Sequence, residues 1–315
     1  MNHPRLAAWA LAALSLCSPL VAIAQTGGGS KDLVELRGFR FQQGDMVALV
    51  GSTFLEREGR FGHIETALTQ AHPKLGLRFR NLAWSGDTVQ GHARSYFGPP
   101  QEGFDRLKGH LEMIKPTVVI LQYGSAEAWD GPGQVKAFTE GYVRLLDMVD
   151  AAAAKPRVLL VSPLPAEPRP PAPDPAAYNA SVAVYRDAIR GLAAARGVGF
   201  VDAFALAAQL PATLRPLTEN GLNFSAQGHA ALGALTPVVM GGSASAAPAT
   251  DEALRALINE KNRLFFHRWR PANETYLFGF RKHEQGRNAA EMPMFDPLVE
   301  KVERDIAAHV ADRQP

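Results

Sequence analysis

The chain has 315 residues, 46% of them hydrophobic, and a formal net charge of +2. A net charge so close to zero produces no overall field that would attract nucleic acid, so we expect no nucleic-acid partner. Cys17 is the only cysteine, which excludes disulfide bonds within the chain, and a chain cleaved after residue 24 would have no cysteine to ligate a metal.

Residues 1–24 are typical of a secretory signal peptide. Arg5 supplies a positive charge, residues 6–21 are mostly Ala, Leu and Val, and Ala22-Ile23-Ala24 fits a small-residue cleavage site. We therefore expect a periplasmic or secreted protein that starts at Gln25 and has no stable membrane insertion after cleavage. An uncleaved anchor is one alternative. Lipidation at Cys17 is another, but it requires a small residue where Leu16 stands.

Apolar runs of strand length then alternate with segments of helical periodicity. The predicted strands are Met46–Val50, Leu77–Leu82, Thr117–Tyr123, Arg157–Ser162 and Gly199–Asp202. The predicted helices are Phe61–Ala71, Phe104–Ile114, Gln134–Ala154, Pro175–Arg196 and Ala226–Met240, the last with Ser225 as its N-cap. This alternation predicts an α/β fold in which helices cover both faces of a parallel sheet.

Residues 241–250 are rich in Gly, Ser, Ala and Pro, which is typical of a linker between two parts of a chain. We predict a main domain over residues 25–240 and a helical C-terminal arm over residues 251–315. The arm's first helix should begin near Asp251-Glu252, and its last should run from Phe295 or Pro297 to Val310.

Four sequence blocks follow predicted strands and should meet at one edge of the sheet, where ligands bind in open parallel sheets. The first is the strand that ends in Gly51-Ser52-Thr53, a tight turn that presents a hydroxyl. The others are Trp84-Ser85-Gly86-Asp87-Thr88, then Tyr123-Gly124-Ser125-Ala126-Glu127, then residues 219–229 with Asn220, Asn223 and His229.

These blocks resemble, in order and spacing, those of the SGNH or GDSL-type hydrolases from Gly44 to Met240. The resemblance implies a flavodoxin-like three-layer sandwich. It also implies an esterase-type protein that needs no metal or other cofactor and acts on carbohydrate or on acyl esters. A polysaccharide or acylated sugar is the partner that we expect.

The family's catalytic positions are mostly substituted in this sequence. Thr53 stands at the position of the nucleophilic Ser, after Ser52 at the Asp position, and Gly86 matches the glycine of the oxyanion hole. Ala126 replaces an Asn that donates to the oxyanion, and Asn220 and Asn223 replace the Asp and the His of the triad. An amide is not a base at any relevant pH, so Asn223 cannot accept the nucleophile's proton.

Two functions remain open at this point. One is an enzyme with a rebuilt catalytic set, in which Thr53 would use His63, His229 or a histidine of the arm as its base. The other is a catalytically silent module, a pseudoenzyme, that binds carbohydrate or another partner. His229 is the histidine nearest in sequence to Asn223, but members of the family often have a non-catalytic His at the position of His229. Asp87, Glu127 and His229 are further candidate site residues, and Asp87 could instead cap the turn that follows it.

The arm is rich in arginine and aromatic residues. It resembles the tail of SGNH-like domains in large exported proteins of planctomycete-type bacteria. Arg268 and Arg270 are candidate ligand-binding residues, and we expect the aromatic side chains of the arm to dock on the main domain. No tight ligand spacing relates His267, His283 and Glu284, so we predict no metal site, and a c-type haem motif is missing.

Overall fold

The structure is a computed structural model that describes residues 33–170, 174–240 and 250–313. The predicted signal peptide and nearly all of the predicted linker lie outside the described residues, so both stay predictions. In the described part, no helix is long and apolar enough to cross a lipid bilayer.

The strands form one sheet in the order β1-β6-β5-β4-β2-β3. Their bounds are β1 Val34–Glu35, β2 Met46–Gly51, β3 Arg78–Asn81, β4 Val118–Gln122, β5 Arg157–Val161 and β6 Gly199–Val201. All neighbouring strands are parallel except β1, which pairs antiparallel with β6 at one edge of the sheet. The five predicted strands are therefore confirmed, whereas β1 is too short to have a recognisable pattern.

Helices cover both faces of this sheet. They are α1 Thr53–Phe61, α2 His63–Ala71, α3 Pro100–Ile114, α4 Val135–Ala152, α5 Ala176–Arg196, α6 Ala203–Gln209 and α7 Ala226–Val239. Alternate residues of β2 point to opposite sides, so Val47 and Leu49 pack with α1, α2, α6 and α7 while Ala48 and Val50 pack with α3, α4 and α5. This is the predicted three-layer arrangement.

The predicted helix Phe61–Ala71 is wrong at its start, because two helices meet there. Gly62 has a φ of +69° and ends α1 in the left-handed conformation, after which α2 begins at His63. The sequence pattern gives little indication of α1, because its nine residues include Gly59 and four charged residues, which leave a narrow apolar stripe.

The C-terminal arm contains α8 Glu252–Trp269, α9 Glu274–Leu277, α10 Lys282–Gln285 and α11 Asp296–Ala311. It covers the edge strand β3: Lys261 Nζ donates to the carbonyl of Phe79 at 3.1 Å, and Arg80 pairs with Glu303. Phe265 and Trp269 lie in the same core as α3, α4 and α5. The docking prediction is confirmed for these two rings and is wrong for Phe278 and Phe280, which stay exposed.

Candidate functional site

The four sequence blocks meet beside the carboxyl ends of β2 and β4, where they line a cleft of about 300 Å³ that we call the Thr53 cleft. Its lining residues are Ser52, Thr53, Phe54, Arg57, Gly86, Gln122, Ser125, Ala126, Trp129, Leu164, Pro165, Ala166, Tyr178, Leu222, Asn223 and Phe224. One or more residues of each block are among them, as expected for loops that leave neighbouring parallel strands at the same edge.

Thr53 is placed by the end of β2 and the start of α1. The N–H of Ser52 donates to the carbonyl of Gln122 at 3.2 Å, and this bond fixes the turn against β4. Because α1 begins at Thr53, the N–H groups of its first turn have no acceptor within the helix and give this end a partial positive charge.

The Thr53 hydroxyl also contacts the second block. Gly86 has a φ of +74°, and its N–H donates to Thr53 Oγ1 at 3.1 Å. A Cβ at Gly86 would have no heavy atom within 4 Å, so glycine is favoured here by the positive φ and not by lack of space. The hydroxyl therefore lies between a helix N-terminus and a backbone donor, an environment that favours a carbonyl or hydroxyl oxygen of a ligand.

Asp87 and Glu127 lie behind the cleft rather than in its lining. Asp87 is completely buried and accepts from Arg94 Nε at 2.5 Å and from the Tyr123 hydroxyl at 3.3 Å. Asp87 is therefore paired inside the protein and is not among the residues that line the cleft.

The Glu127 carboxylate joins the second and third blocks. It accepts from the N–H of Val89 and from the N–H of Gly124, both at 2.9 Å. Burial raises the pKa of Glu127 to about 7 despite these donors. Glu127 therefore positions the loop that presents Ser125 and Ala126 to the cleft.

The fourth block forms a turn stabilised by Asn220. Its Oδ1 accepts from the N–H of Leu222 at 3.1 Å and of Asn223 at 2.8 Å, so Asn220 faces its own backbone and lies outside the cleft lining. The Asn223 side chain lines the cleft. Arg57 holds this turn to α1 through the carbonyl of Phe224 at 3.2 Å and through Glu219 at 2.6 Å.

His229 lies away from the cleft, in the second turn of α7. It is completely buried, its Nδ1 lies 2.8 Å from Glu58 Oε2, and its ring stacks on Phe54 at 4.4 Å. His63 is also missing from the cleft lining, and burial lowers its pKa. The structure therefore brings neither of the two proposed main-domain histidines to Thr53.

The two arginines of the arm have different positions. Arg268 pairs with Asp296 inside the arm at 2.8 Å, so the prediction that it binds ligand is not supported by its position. Arg270 reaches the main domain, where it donates to Glu56 at 2.9 Å and stacks on the Trp84 ring at 3.6 Å. These two partners stand close in sequence to the cleft, since Glu56 is three residues after Thr53 and Trp84 is two residues before Gly86. Arg270 itself lies outside the cleft lining.

Among the described residues that line the cleft, none is His, Asp or Glu, so none of these carries the usual general base. Tyr178 donates to the carbonyl of Ser125 at 2.9 Å, and burial raises the pKa of Tyr178 to about 12, so its hydroxyl stays protonated at neutral pH. In the described part of the chain, no group of three or more His, Cys, Asp or Glu side chains is arranged to hold a metal ion.

Several cleft residues were missed by the sequence analysis. Trp129 is 63% exposed, and its ring stacks on Tyr178 at 4.4 Å with an interplanar angle of 29°. Trp129 stands two residues after the third block, and this short distance in sequence could have indicated that it belongs to the cleft. Tyr178 and the segment Leu164–Ala166 are distant in sequence, and only the fold brings them to the cleft.

A family model described as the GDSL-like lipase/acylhydrolase family matches residues 47–231, which is more than half of the chain and includes all four blocks. The chain belongs to the GDSL-like lipase/acylhydrolase family. The resemblance stated from the sequence is therefore confirmed. No curated protein matches the sequence.

Solved structures of other GDSL-like and esterase proteins share the fold. A catalytic mutant of an acetylxylan esterase from Geobacillus stearothermophilus is 16% identical, with a TM-score of 0.50 over 65% of this chain and 98% of that chain. A protein of Parabacteroides merdae described as a GDSL-like lipase is 14% identical, with a TM-score of 0.53 over 64% and 98%. A gut microbial diltiazem-metabolizing enzyme is 15% identical, with a TM-score of 0.51, and the match spans 65% of this chain but only 49% of that chain. At such identities the likeness shows the fold alone.

Proposed function

We propose that this GDSL-like protein is exported and binds acylated carbohydrate in the Thr53 cleft without hydrolysing it by the Ser–His–Asp mechanism. The observation that supports this most is the side chain at the position of the general base. Asn223 reaches the cleft lining there, and among the described lining residues no imidazole or carboxylate replaces it. Triad residues act as a unit, so loss of the base alone can remove a factor of about 10⁶ in rate.

The binding part of the proposal rests on the groups that the cleft still offers. The Thr53 hydroxyl and the Ser125 hydroxyl lie in its lining together with the Asn223 amide. Such neutral polar groups recognise carbonyl and hydroxyl oxygens. The exposed face of Trp129 is a surface on which a sugar ring can pack. An acetylxylan esterase with the same fold makes an acetylated sugar a reasonable class of ligand.

Hydrolysis assays of the full chain test the proposal. With 4-nitrophenyl acetate and with acetylated xylo-oligosaccharides, we expect no more turnover than in Thr53→Ala. We also expect calorimetry to detect binding of the acetylated sugars. Turnover of these substrates that disappears in Thr53→Ala would show a rebuilt catalytic set and contradict the proposal.

A gain-of-function variant tests whether the cleft keeps the family geometry. Thr53→Ser, Ala126→Asn, Asn220→Asp and Asn223→His together restore the nucleophile, the oxyanion donor, the orienting carboxylate and the base. We expect this variant to hydrolyse 4-nitrophenyl acetate measurably. The matched control has the first three changes only and should gain little, because a nucleophile needs its base. A folded variant without activity would show that the loops do not hold the family's catalytic geometry.

A further inference from the structure

A second cavity lies beside the Thr53 cleft, between α1 and the first helix of the arm, α8. Its volume is about 1000 Å³, and we call it the α1–α8 groove. Its lining residues are Thr53, Glu56, Arg57, Gly59, Arg60, Asn81, Ser85, Asn223, Ala256, Asn259, Glu260, Asn262, Arg263 and Phe266. The last six belong to the arm, which lies outside the region matched by the family model.

The groove and the cleft are adjacent parts of one surface. Thr53, Arg57 and Asn223 line both. A ligand group at the Thr53 hydroxyl would therefore have the cleft on one side of it and the groove on the other. The groove is the larger of the two and has room for a chain of several residues.

The chemistry of the groove favours an uncharged, hydroxyl-rich ligand. Its charged side chains are already paired. Arg57 and Arg60 share Glu219, at 2.6 Å and 3.9 Å, and Arg263 pairs with Glu260 at 2.7 Å. Glu56 is paired as well, with Arg270 at 2.9 Å. Paired charges leave little net field for an anionic polymer, whereas their remaining donor and acceptor positions can bind hydroxyl groups.

Asn259, Asn223 and Phe266 are among the uncharged side chains that line the groove. The Oδ1 atom of Asn259 is buried beside Gly62 and has no hydrogen-bond partner among the described residues. Asn223 lies at the junction with the cleft. Phe266 is 37% exposed and is the only large apolar side chain among the described residues that line the groove. One aromatic surface among neutral amides is suited to sugar rings, while a peptide would need several apolar subsites.

We propose that the arm completes the ligand site: the α1–α8 groove binds the sugar chain of an acylated oligosaccharide whose acyl-bearing residue lies in the Thr53 cleft. This inference rests on the proposed function. It makes the arm, rather than the family core, the part that selects a polymeric ligand over a small one.

Calorimetry on the full chain tests this inference with two probes, an acetylated xylohexaose and an acetylated methyl xyloside. The hexaose should bind about tenfold or more tightly, because only the longer probe reaches the groove. In the variant Asn259→Ala with Phe266→Ala, we expect this preference to disappear while the affinity for the methyl xyloside changes by less than about twofold. The single variants should each lose part of the preference.

The matched control is Phe280→Ala with Asn288→Ala, which removes the same side-chain types from exposed positions of the arm outside the groove. It should keep the preference. The inference is overturned if the wild-type chain binds both probes equally, in which case the proposed function stands. It is also overturned if the preference survives in the groove variant or is lost equally in the control. Binding of neither probe would overturn the proposed function and this inference together.

Discussion

Asp87 and Arg94 form an ion pair whose two side chains are completely buried. Arg94 also donates to the carbonyl of Leu82 at 2.6 Å, so the pair connects β3's end with the loop that carries Gly86. The neighbouring carboxylate raises the pKa of Arg94 although burial acts in the opposite direction. A charge in this position is stable only while its partner is present.

We predict that Asp87→Asn lowers the free energy of unfolding by about 3–5 kcal/mol, because it leaves the Arg94 guanidinium buried without a counter-charge. Urea unfolding followed by circular dichroism measures the change. Asp130→Asn is the matched control at an exposed position and should change stability by less than about 0.5 kcal/mol. Equal stability of the two variants would mean that the pair is dispensable.

A second prediction at the residue scale concerns Glu127 and the pH dependence of the free energy of unfolding. Burial raises its pKa from an ordinary 4.5 to about 7, so between these values the folded chain keeps a proton that the unfolded chain releases. The free energy of unfolding contributed by Glu127 therefore falls as pH rises from about 4.5 to 7, by about 3 kcal/mol, and is constant above that window.

The measurement is urea unfolding of the wild type and of Glu127→Gln at several pH values between 5 and 8. The variant cannot titrate at this position, so the stability of the wild type minus that of the variant should decrease with rising pH. A difference that is constant or that increases with pH would contradict the raised pKa.

At the scale of elements, α1 connects the nucleophile position to the rest of the molecule. Thr53 stands at its start, and Glu58 in its second turn holds His229 of α7. Arg57, between them, holds the turn of the fourth block. Movement of this helix would therefore change the first and fourth blocks together.

The arm is the other element on which the fold depends. Trp269 is 3% exposed, lies 5.7 Å from the Trp84 ring and packs edge-on against His110 at 5.0 Å. Lys261 is buried as well, and its ammonium group pairs with Glu65 of α2 at 2.5 Å. Removal of the arm would expose these apolar rings and leave Glu65 without its counter-charge.

We predict that a chain ending at Met240 has a lower melting temperature than the full chain and aggregates. Trp269→Ala should alone cost about 3–5 kcal/mol of stability, because it removes a buried aromatic ring. Thermal unfolding with light scattering measures both effects. Phe280→Ala, at a ring that is 80% exposed, is the control and should unfold like the wild type. A truncated chain that is monomeric and equally stable would show the arm to be an independent appendage.

At the scale of the whole molecule, two cavities lie beside the same sheet: the Thr53 cleft, formed by the four blocks of the family, and the α1–α8 groove, which the arm helps to form. The cleft follows from parallel strands, whose carboxyl ends place four distant sequence blocks at one edge. The groove follows from the arm, which covers the edge strand β3 and lies beside α1. The site proposed for the ligand therefore depends on both parts of the chain.

The sequence by itself determined the five main strands and most of the helices, because apolar runs and helical stripes are local patterns of residue types. It also determined the four blocks with Thr53, Gly86, Ala126 and Asn223, which are local patterns as well. It could not determine which polar residues face a ligand. Asp87 and His229 look like site residues in the sequence, but each is buried with a partner. Asp87 pairs with Arg94, seven residues along the chain, and His229 pairs with Glu58, 171 residues away. Trp129, Tyr178 and the arm's Asn259 and Phe266 reach the cleft or the groove only through the packing of separate elements. Contacts between distant residues arise from packing of the folded chain, so only the tertiary structure decided which side chains line the site.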